Sequence, residues 1–229
     1  MNRNREHHAP ATPAEAFLAR VRASLDADPA RAESGPPEFD GALLRILHPA
    51  ADLASNFLRS AAAAGMVASR VRAAGAAQKL AELLSKLNAT RTVVSCGRPE
   101  TRAIAGDASA TSRTEIVSPE DRPGLEAHFT ADCGITDVTH AIAESGTLVL
   151  SSTVQGRGAF LVPPVHIALV PASLLIPDLV DLWAPDAPSD LPASLVLVSG
   201  PSKTADIEGI LITGVHGPRE VHVLLIEDM

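Results

Sequence analysis

The apolar and polar positions at the start of the chain predict one short helix followed by a linker. Phe17, Leu18, Val21 and Leu25 recur at helical spacing within residues 13–26, and an acidic side chain stands in the first turn. Residues 28–40 are rich in Pro and charge, which is typical of a linker. We therefore expect residues 1–40 to form a helical arm and residues 41–229 to form the main domain.

The pattern then changes between helical and strand-like segments. Apolar spacing predicts a helix over residues 52–64, which Gly65 ends, and a short strand over residues 66–71. Gly65 and Gly75 bracket this strand, and a second helix begins near Ala77. One long Ala-rich helix through to Leu87 is the alternative. A compact apolar run over residues 92–95 then predicts a buried strand, so helices and strands alternate as they do around a parallel sheet.

The pattern is weak between residues 97 and 134, where only a strand at 114–117 and a loop or short helix at 119–125 are indicated. Beyond this region it is clearer. The expected strands span residues 138–143, 146–151, 165–170, 195–198 and 221–226, and the expected helices span 173–183 and 204–212. The predicted fold class is α/β, built as a three-layer sandwich around a largely parallel or mixed sheet.

Composition and charge exclude several classes of protein. The chain carries 19 basic and 27 acidic residues, a formal net charge of −8, which argues against a general nucleic-acid binder. It has neither an apolar run long enough for a membrane span nor the apolar core of a secretory signal. We expect a cytoplasmic protein. Cys96 and Cys133, the two cysteines, cannot form a four-cysteine iron–sulfur site by themselves.

The strongest chemical signal is the turn after the strand at 195–198. Gly200 turns the chain, and Ser202, Lys203, Thr204 and Asp206 follow at the expected start of a helix. Backbone N–H groups and the helix dipole would converge there on a carboxylate or phosphate, and Lys203 would add a charge. The alternative is an ordinary capped turn.

Four further residues are candidates on weaker grounds. His216 lies between two glycines and suits proton transfer, and Arg157 lies in a Gly-flanked loop that suits anion binding. Glu144 occupies a turn between two strands, and His166 stands near the start of a strand. A structural turn, an exposed loop, a solvated carboxylate and a core histidine are the respective alternatives. The histidine spacing indicates no metal site.

Four segments, taken together, resemble the LUD-domain family and in particular its lactate-utilisation C (LutC/YkgG) group. They are AESGTLVLSS (143–152), the Gly-Arg-Gly loop at 156–158, PPVHIALV (163–170) and SGPSKTADIEGILITGVHGPREVHVLLI (199–226). The resemblance implies a fold similar to the NagB/RpiA/CoA-transferase group. It also implies a role in oxidising L-lactate to pyruvate, alongside two iron–sulfur subunits that carry the clusters.

On this basis the chain is expected to be an accessory subunit that binds no cofactor alone. It would offer an anion pocket formed by Gly200, Ser202, Lys203, Thr204, Asp206, Arg157 and His166, with Glu144 and His216 as proton-handling candidates. Whether the chain is itself an enzyme is left open. The alternative is a free-standing CoA-transferase-like or cyclo-ligase-like enzyme, which would use Glu144 as a nucleophile or Lys203 at a phosphate site.

Overall fold

The computed structural model describes residues 12–26, 45–47, 52–117, 126–152, 156–183, 192–205 and 209–229. It divides the chain into two units, Met1–Leu44 and Arg45–Met229. In the first unit, helix α1 spans Pro13–Asp26, as predicted. Thr12 and Glu15 form a reciprocal capping box, in which each backbone N–H donates to the other side chain. The predicted linker at 28–40 lies outside the described residues, and the domain boundary near residue 40 stays a prediction.

The second unit begins with a helix, a strand and a helix. Asp52 caps α2 (Leu53–Ala63) by accepting the N–H of Ser55 at 3.0 Å. The N–H of Met66 then bonds back to the Ala61 carbonyl, which closes the helix before β1 (Val67–Val71). The helix–break–strand prediction is therefore confirmed, and the single long helix is wrong.

The remaining elements follow in chain order. They are α3 (Ala73–Lys86), β2 (Arg91–Ser95), α4 (Pro99–Ser112), β3 (Glu115–Ile116), α5 (Glu126–Thr130), β4 (Cys133–Asp137), β5 (His140–Ile142), β6 (Thr147–Ser151), α6 (Gly158–Leu161), β7 (Val165–Pro171), β8 (Leu175–Ile176), α7 (Leu179–Leu182), β9 (Leu195–Val198), β10 (Lys203–Thr204), β11 (Ile212–Thr213) and β12 (Glu220–Ile226). A turn of 3₁₀ helix at Ala172–Leu174 precedes β8.

Two sheets form the scaffold. The central sheet has six parallel strands in the order β1-β12-β7-β4-β2-β3. The second has the order β8-β5-β6-β9, with β6 antiparallel to both of its neighbours. One apolar core lies between the central sheet and helices α3 and α4, and the other lies between the central sheet, the second sheet and α2. The α/β class and the layered arrangement are thus as predicted.

Several local predictions are wrong, each for a physical reason. Gly75 lies inside α3 and does not precede it, because the backbone N–H of Ala73 bonds Asp228 and starts the helix earlier. Residues 173–183 are not one helix, since Leu175 and Ile176 pair with β5 and only 179–182 are α-helical after Pro177. Helix α4 and strand β4 were not predicted, because α4 has few large apolar residues to mark a buried face.

The predicted helix at 204–212 is also wrong. Lys203 and Thr204 form β10, which pairs antiparallel with Thr213 and Ile212 of β11. Asp206 lies outside the described residues. The turn at 199–202 therefore leads into strand β10, so Ser202, Lys203 and Thr204 do not open a helix as was expected.

Candidate functional site

A cleft of about 300 Å³ opens between three segments of the second unit. One wall is the end of α6, and the second is β9 with the turn that follows it. The third is the loop before β12 together with Val221 of that strand. The side chains and backbone that line it belong to Phe160, Leu161, Val196, Leu197, Val198, Ser199, Gly200, Pro201, Ser202, His216, Gly217, Pro218 and Val221. Gly200, Ser202 and His216, three of the residues predicted from sequence, therefore share one cleft.

The turn at 199–202 is held against the carboxyl end of α2. Gly200 has φ of +117°, and a Cβ at this position would lie 2.4 Å from the Ala64 carbonyl oxygen. Only glycine allows both that backbone conformation and that approach. A carboxyl helix end carries partial negative charge, so this neighbour favours cations and disfavours anions. Gly65, just beyond the same helix, lies close to the Lys203 ammonium: a Cβ there would be 3.9 Å from Nζ.

Backbone hydrogen bonds join this turn to the loop that carries His216. The Ser202 N–H donates to the Pro218 carbonyl at 2.9 Å, and the Gly214 N–H donates to the Ser202 carbonyl at 2.8 Å. Gly217 packs beside the same serine, since a Cβ there would lie 3.1 Å from Ser202 Cβ. The two motifs at 199–202 and 214–218 are thus joined by backbone hydrogen bonds along one rim of the cleft.

A chain of three hydroxyl groups reaches this rim from the turn at 143–146. Ser145 Oγ lies 2.7 Å from Thr147 Oγ1, which lies 2.7 Å from Ser199 Oγ. Thr147 is buried, whereas Ser199 is exposed at the cleft. These three hydroxyl groups therefore connect the turn that carries Glu144 to the cleft. Their hydrogen bonds fix the orientation of the Ser199 side chain. Thr147 and Ser199 were not among the residues predicted from sequence, although they lie in the segments 143–152 and 199–226.

The chemistry of the cleft is that of neutral hydrogen-bonding groups beside an apolar wall. Among the described residues that line it, none is Lys or Arg. The hydroxyls of Ser199 and Ser202 can donate to a ligand oxygen, and the His216 imidazole can donate, accept or carry a proton. Leu161 and Leu197 present exposed apolar surface in the same cleft, whereas Phe160 and Val221 line it as buried residues. The cleft can thus hold a small polar ligand with an apolar side.

The other predicted residues lie away from the cleft lining. Glu144 sits in its turn, where its backbone N–H donates to the Pro177 carbonyl at 3.0 Å. Arg157 immediately precedes α6, between Gly156, which packs near Ser95, and Gly158, which packs against the His128 ring. Thr204 pairs with β11 in the hairpin. Ligand binding by Arg157, Lys203 and Thr204, and catalysis by Glu144 and His216, stay predictions.

His166 lies beneath the cleft and not at its surface. It is fully buried on β7, beside Val221 of β12 in register, and its ring centroid is 6.0 Å from that of Phe160. Its Nε2 lies 2.9 Å from Thr136 Oγ1, while Nδ1 has no hydrogen-bond partner among the described residues. Burial lowers the pKa of His166 to about 3, so the ring is neutral at neutral pH.

This buried imidazole predicts a pH-dependent stability. His166 remains neutral in the folded protein down to about pH 3, whereas in the unfolded chain it takes up a proton below about pH 6.5. Protonation therefore favours the unfolded chain, and stability present above pH 6.5 is lost as the pH falls toward 3. Between pH 7.5 and pH 5, the free energy of unfolding measured in urea should fall by about 2 kcal/mol less in His166→Gln than in the wild type. Equal losses in the two proteins would contradict this assignment.

Asp137 is a buried carboxylate that sequence analysis missed. It ends β4 with no exposed surface and accepts the backbone N–H groups of Gly97 at 3.0 Å and Arg98 at 2.8 Å. The Thr101 hydroxyl donates to it at 2.9 Å. This carboxylate therefore fixes the loop between β2 and α4. Its only sequence signal is an Asp at the end of a strand that was not predicted.

A model of the LUD domain matches residues 54–226, which is most of the chain. The chain belongs to the LUD-domain family, and the resemblance drawn from its motifs is confirmed. The chain is 41% identical over 104 residues to lactate utilization protein C of Halalkalibacterium halodurans, covering 43% of this chain and 45% of that protein. It is 35% identical over 108 residues to the protein of the same name from Anoxybacillus flavithermus, covering 47% and 49%. The match thus spans about half the length of these relatives.

A solved structure supports the fold. The crystal structure of a DUF162 family protein from Deinococcus radiodurans superposes with a TM-score of 0.54 at 21% identity, over 77% of this chain and 97% of that one. This similarity concerns the fold alone. No helix within the described part of the chain is long and apolar enough to cross a membrane.

Proposed function

We propose that this chain acts in lactate utilisation and that the cleft at Ser199, Ser202 and His216 is its ligand site. The observation that carries the proposal is the similarity to proteins named lactate utilization protein C, at 35–41% identity, within a shared family. That name describes the relatives. Its extension to this chain is the proposal, as is a cytoplasmic location.

The chemistry of the cleft agrees with a small 2-hydroxy acid. Lactate has a carboxylate, a hydroxyl group and a methyl group on three carbons. The Ser199 and Ser202 hydroxyls are suited to donate to the carboxylate, and the His216 imidazole would add a further hydrogen bond. The methyl group would contact the exposed apolar side chains of Leu161 and Leu197. An anion would thus be held by local donors despite the net charge of −8, and the Lys203 ammonium beside Gly65 would offset the partial negative charge at the carboxyl end of α2.

Oxidation of lactate to pyruvate removes two electrons and two protons, which an acceptor must take up. The cysteines of this chain are poorly placed to ligate such a centre together. Cys133 begins β4 and pairs with Thr92 near the start of β2, whereas Cys96 follows Ser95 at the opposite end of β2. Both are buried, and burial raises the pKa of each thiol to about 12, which disfavours the thiolate that binds iron. We accordingly assign the redox centre to partners.

The proposed partners are two iron–sulfur subunits, as the family resemblance implies, with this chain as the subunit that binds or positions the anion. The alternative of a CoA-transferase-like or cyclo-ligase-like enzyme depends on Glu144 or Lys203. Neither residue is among those that line the cleft. We therefore give the accessory role precedence, and the enzyme alternative stays a prediction.

Complementation of a deletion strain tests the proposal. Deletion of the gene should abolish growth on L-lactate and preserve growth on pyruvate, and the wild-type gene should restore it. The double variant Ser199→Ala/Ser202→Ala and the variant His216→Ala should restore growth poorly, because each removes hydrogen-bond donors from the cleft. Ser85→Ala is the matched control, since it removes an exposed serine on α3 and should complement fully.

Two results would contradict the proposal. Unimpaired growth of the deletion strain on L-lactate would remove the role in lactate utilisation. Full complementation by both cleft variants, at wild-type protein levels, would remove the cleft as the site. The partner assignment has its own test, because a tagged chain purified from lactate-grown cells should retain two iron–sulfur proteins, and recovery of the chain alone would contradict it.

A further inference from the structure

A second cavity lies on the opposite face of the central sheet from the cleft. It measures about 250 Å³ and opens between α3 and the strands β1 and β12. Val67, Leu83 and Leu224 give it apolar surface, and Ser69 and His222 add polar groups. The alternation along β12 separates the two sites, because Val221 faces the cleft whereas His222 and Leu224 face this cavity.

Two of the three lysines in the chain stand at this cavity. Lys79 and Lys86 are exposed on α3, and they lie seven residues apart on one helix face with Glu82 and Leu83 between them. Seven residues correspond to about 10 Å along a helix axis. The flexible lysine side chains can therefore approach one bound molecule from both ends of the cavity.

Glu82 is the acidic residue of the lining, and it forms no ion pair with Lys79 or Lys86. Its spacing of three from Lys79 and four from Lys86 would permit helical ion pairs with either. The structure instead shows Gln78 donating to Glu82 Oε1 at 3.1 Å, and neither lysine forms an ion pair with any residue in the described part of the chain. Glu220 is also near, since its carboxylate lies 3.3 Å from His222 Nε2. The lining itself carries two ammonium groups and one carboxylate, and the Glu220 carboxylate is held at His222.

We propose that this cavity is a binding site for a small organic anion with an apolar body, whose carboxylate or phosphate head is held by Lys79 and Lys86. The apolar body occupies the space beside Val67, Leu83 and Leu224, where burial of hydrocarbon is favourable. The head group lies at the mouth, where both ammonium groups are accessible. A protein of net charge −8 repels anions from most of its surface. Anion binding is therefore expected only where cations lie close together, as Lys79 and Lys86 do.

Calorimetric titration of the full chain tests this proposal with four probes of the same chain length: hexanoate, hexyl phosphate, hexanol and hexylammonium. At least one of the two anions should bind saturably, and more tightly than hexanol or hexylammonium. The more tightly bound anion identifies the head group. Amide resonances of Val67, Ser69, His222 and Leu224 should shift on binding, whereas those of the cleft should not.

The double variant Lys79→Gln/Lys86→Gln should weaken binding of the anion at least tenfold, since both charges are removed from exposed positions that do not support the fold. Arg59→Gln is the matched control, because it removes an exposed cation from α2, which packs on the other face of the central sheet from α3, and it should leave affinity within twofold. Absence of saturable anion binding, equal affinity for hexanol, or unchanged affinity in the double variant would each overturn the proposal. The test is independent of growth on lactate.

Discussion

Gly134→Ala is expected to lower the free energy of unfolding by about 4 kcal/mol or more. A Cβ at Gly134, in the buried strand β4, would lie 1.6 Å from the carbonyl oxygen of Ala159 and 2.8 Å from its carbonyl carbon. These atoms belong to the backbone of α6, so no side-chain rotation relieves the overlap. Either α6 moves away from the central sheet, or the backbone of β4 distorts within it.

Urea unfolding at pH 7.5 measures this loss, and Gly106→Ala supplies the matched control. Gly106 lies within α4, where a Cβ would meet nothing within 4 Å. The same substitution there should raise stability by about 0.5–1 kcal/mol, because alanine is the better helix former. A loss below about 1 kcal/mol for Gly134→Ala would show that α6 moves freely, and the cleft wall formed by Phe160 and Leu161 would then not be a fixed surface.

Asp137→Ala is the second substitution with a large expected effect, a loss of about 3–5 kcal/mol in the free energy of unfolding. Removal of the carboxylate leaves the N–H groups of Gly97 and Arg98 without their acceptor and the Thr101 hydroxyl without one of its partners. Because Asp137 is fully buried, water does not readily replace it.

Asp132 provides a close control at the other end of the same strand pair. It accepts the N–H groups of Thr90 at 2.8 Å and Arg91 at 3.0 Å, the same task that Asp137 performs, but it is only partly buried. Water can take its place, so Asp132→Ala should cost about 1 kcal/mol in the same urea titration. Equal losses for the two variants would mean that burial of Asp137 does not determine its contribution.

The sequence predicted most of the strands of the central sheet and missed the elements whose apolar pattern is weak. Runs such as residues 165–170 and 221–226 are nearly all apolar, which is typical of parallel strands buried on both faces. Helix α4 has small side chains instead, and it is buried through Thr101, Ala105 and Ala108. Small residues permit close packing against α3 but give little periodic signal, so this helix was not predicted.

The candidate site was predicted in part, and for a reason that the structure corrects. The motifs at 199–202 and 214–218 were selected as chemistry-bearing, and they do meet at one cleft. The expected cause was the amino end of a helix after Lys203. The observed partner of this turn is the carboxyl end of α2, more than 130 residues earlier, which Gly200 approaches through Ala64. Local sequence carries no information about that neighbour.

The sequence by itself determined the α/β class, the family and the scarcity of cysteine and lysine, because these depend on periodicity, motif and composition. Only the tertiary structure decided which polar groups act together. It brought Thr147 to Ser199, buried His166 beneath Phe160, and placed Lys79 and Lys86 over an apolar cavity at the far face of the sheet. Such neighbours depend on strand order and on long-range packing, which no local pattern along the chain specifies.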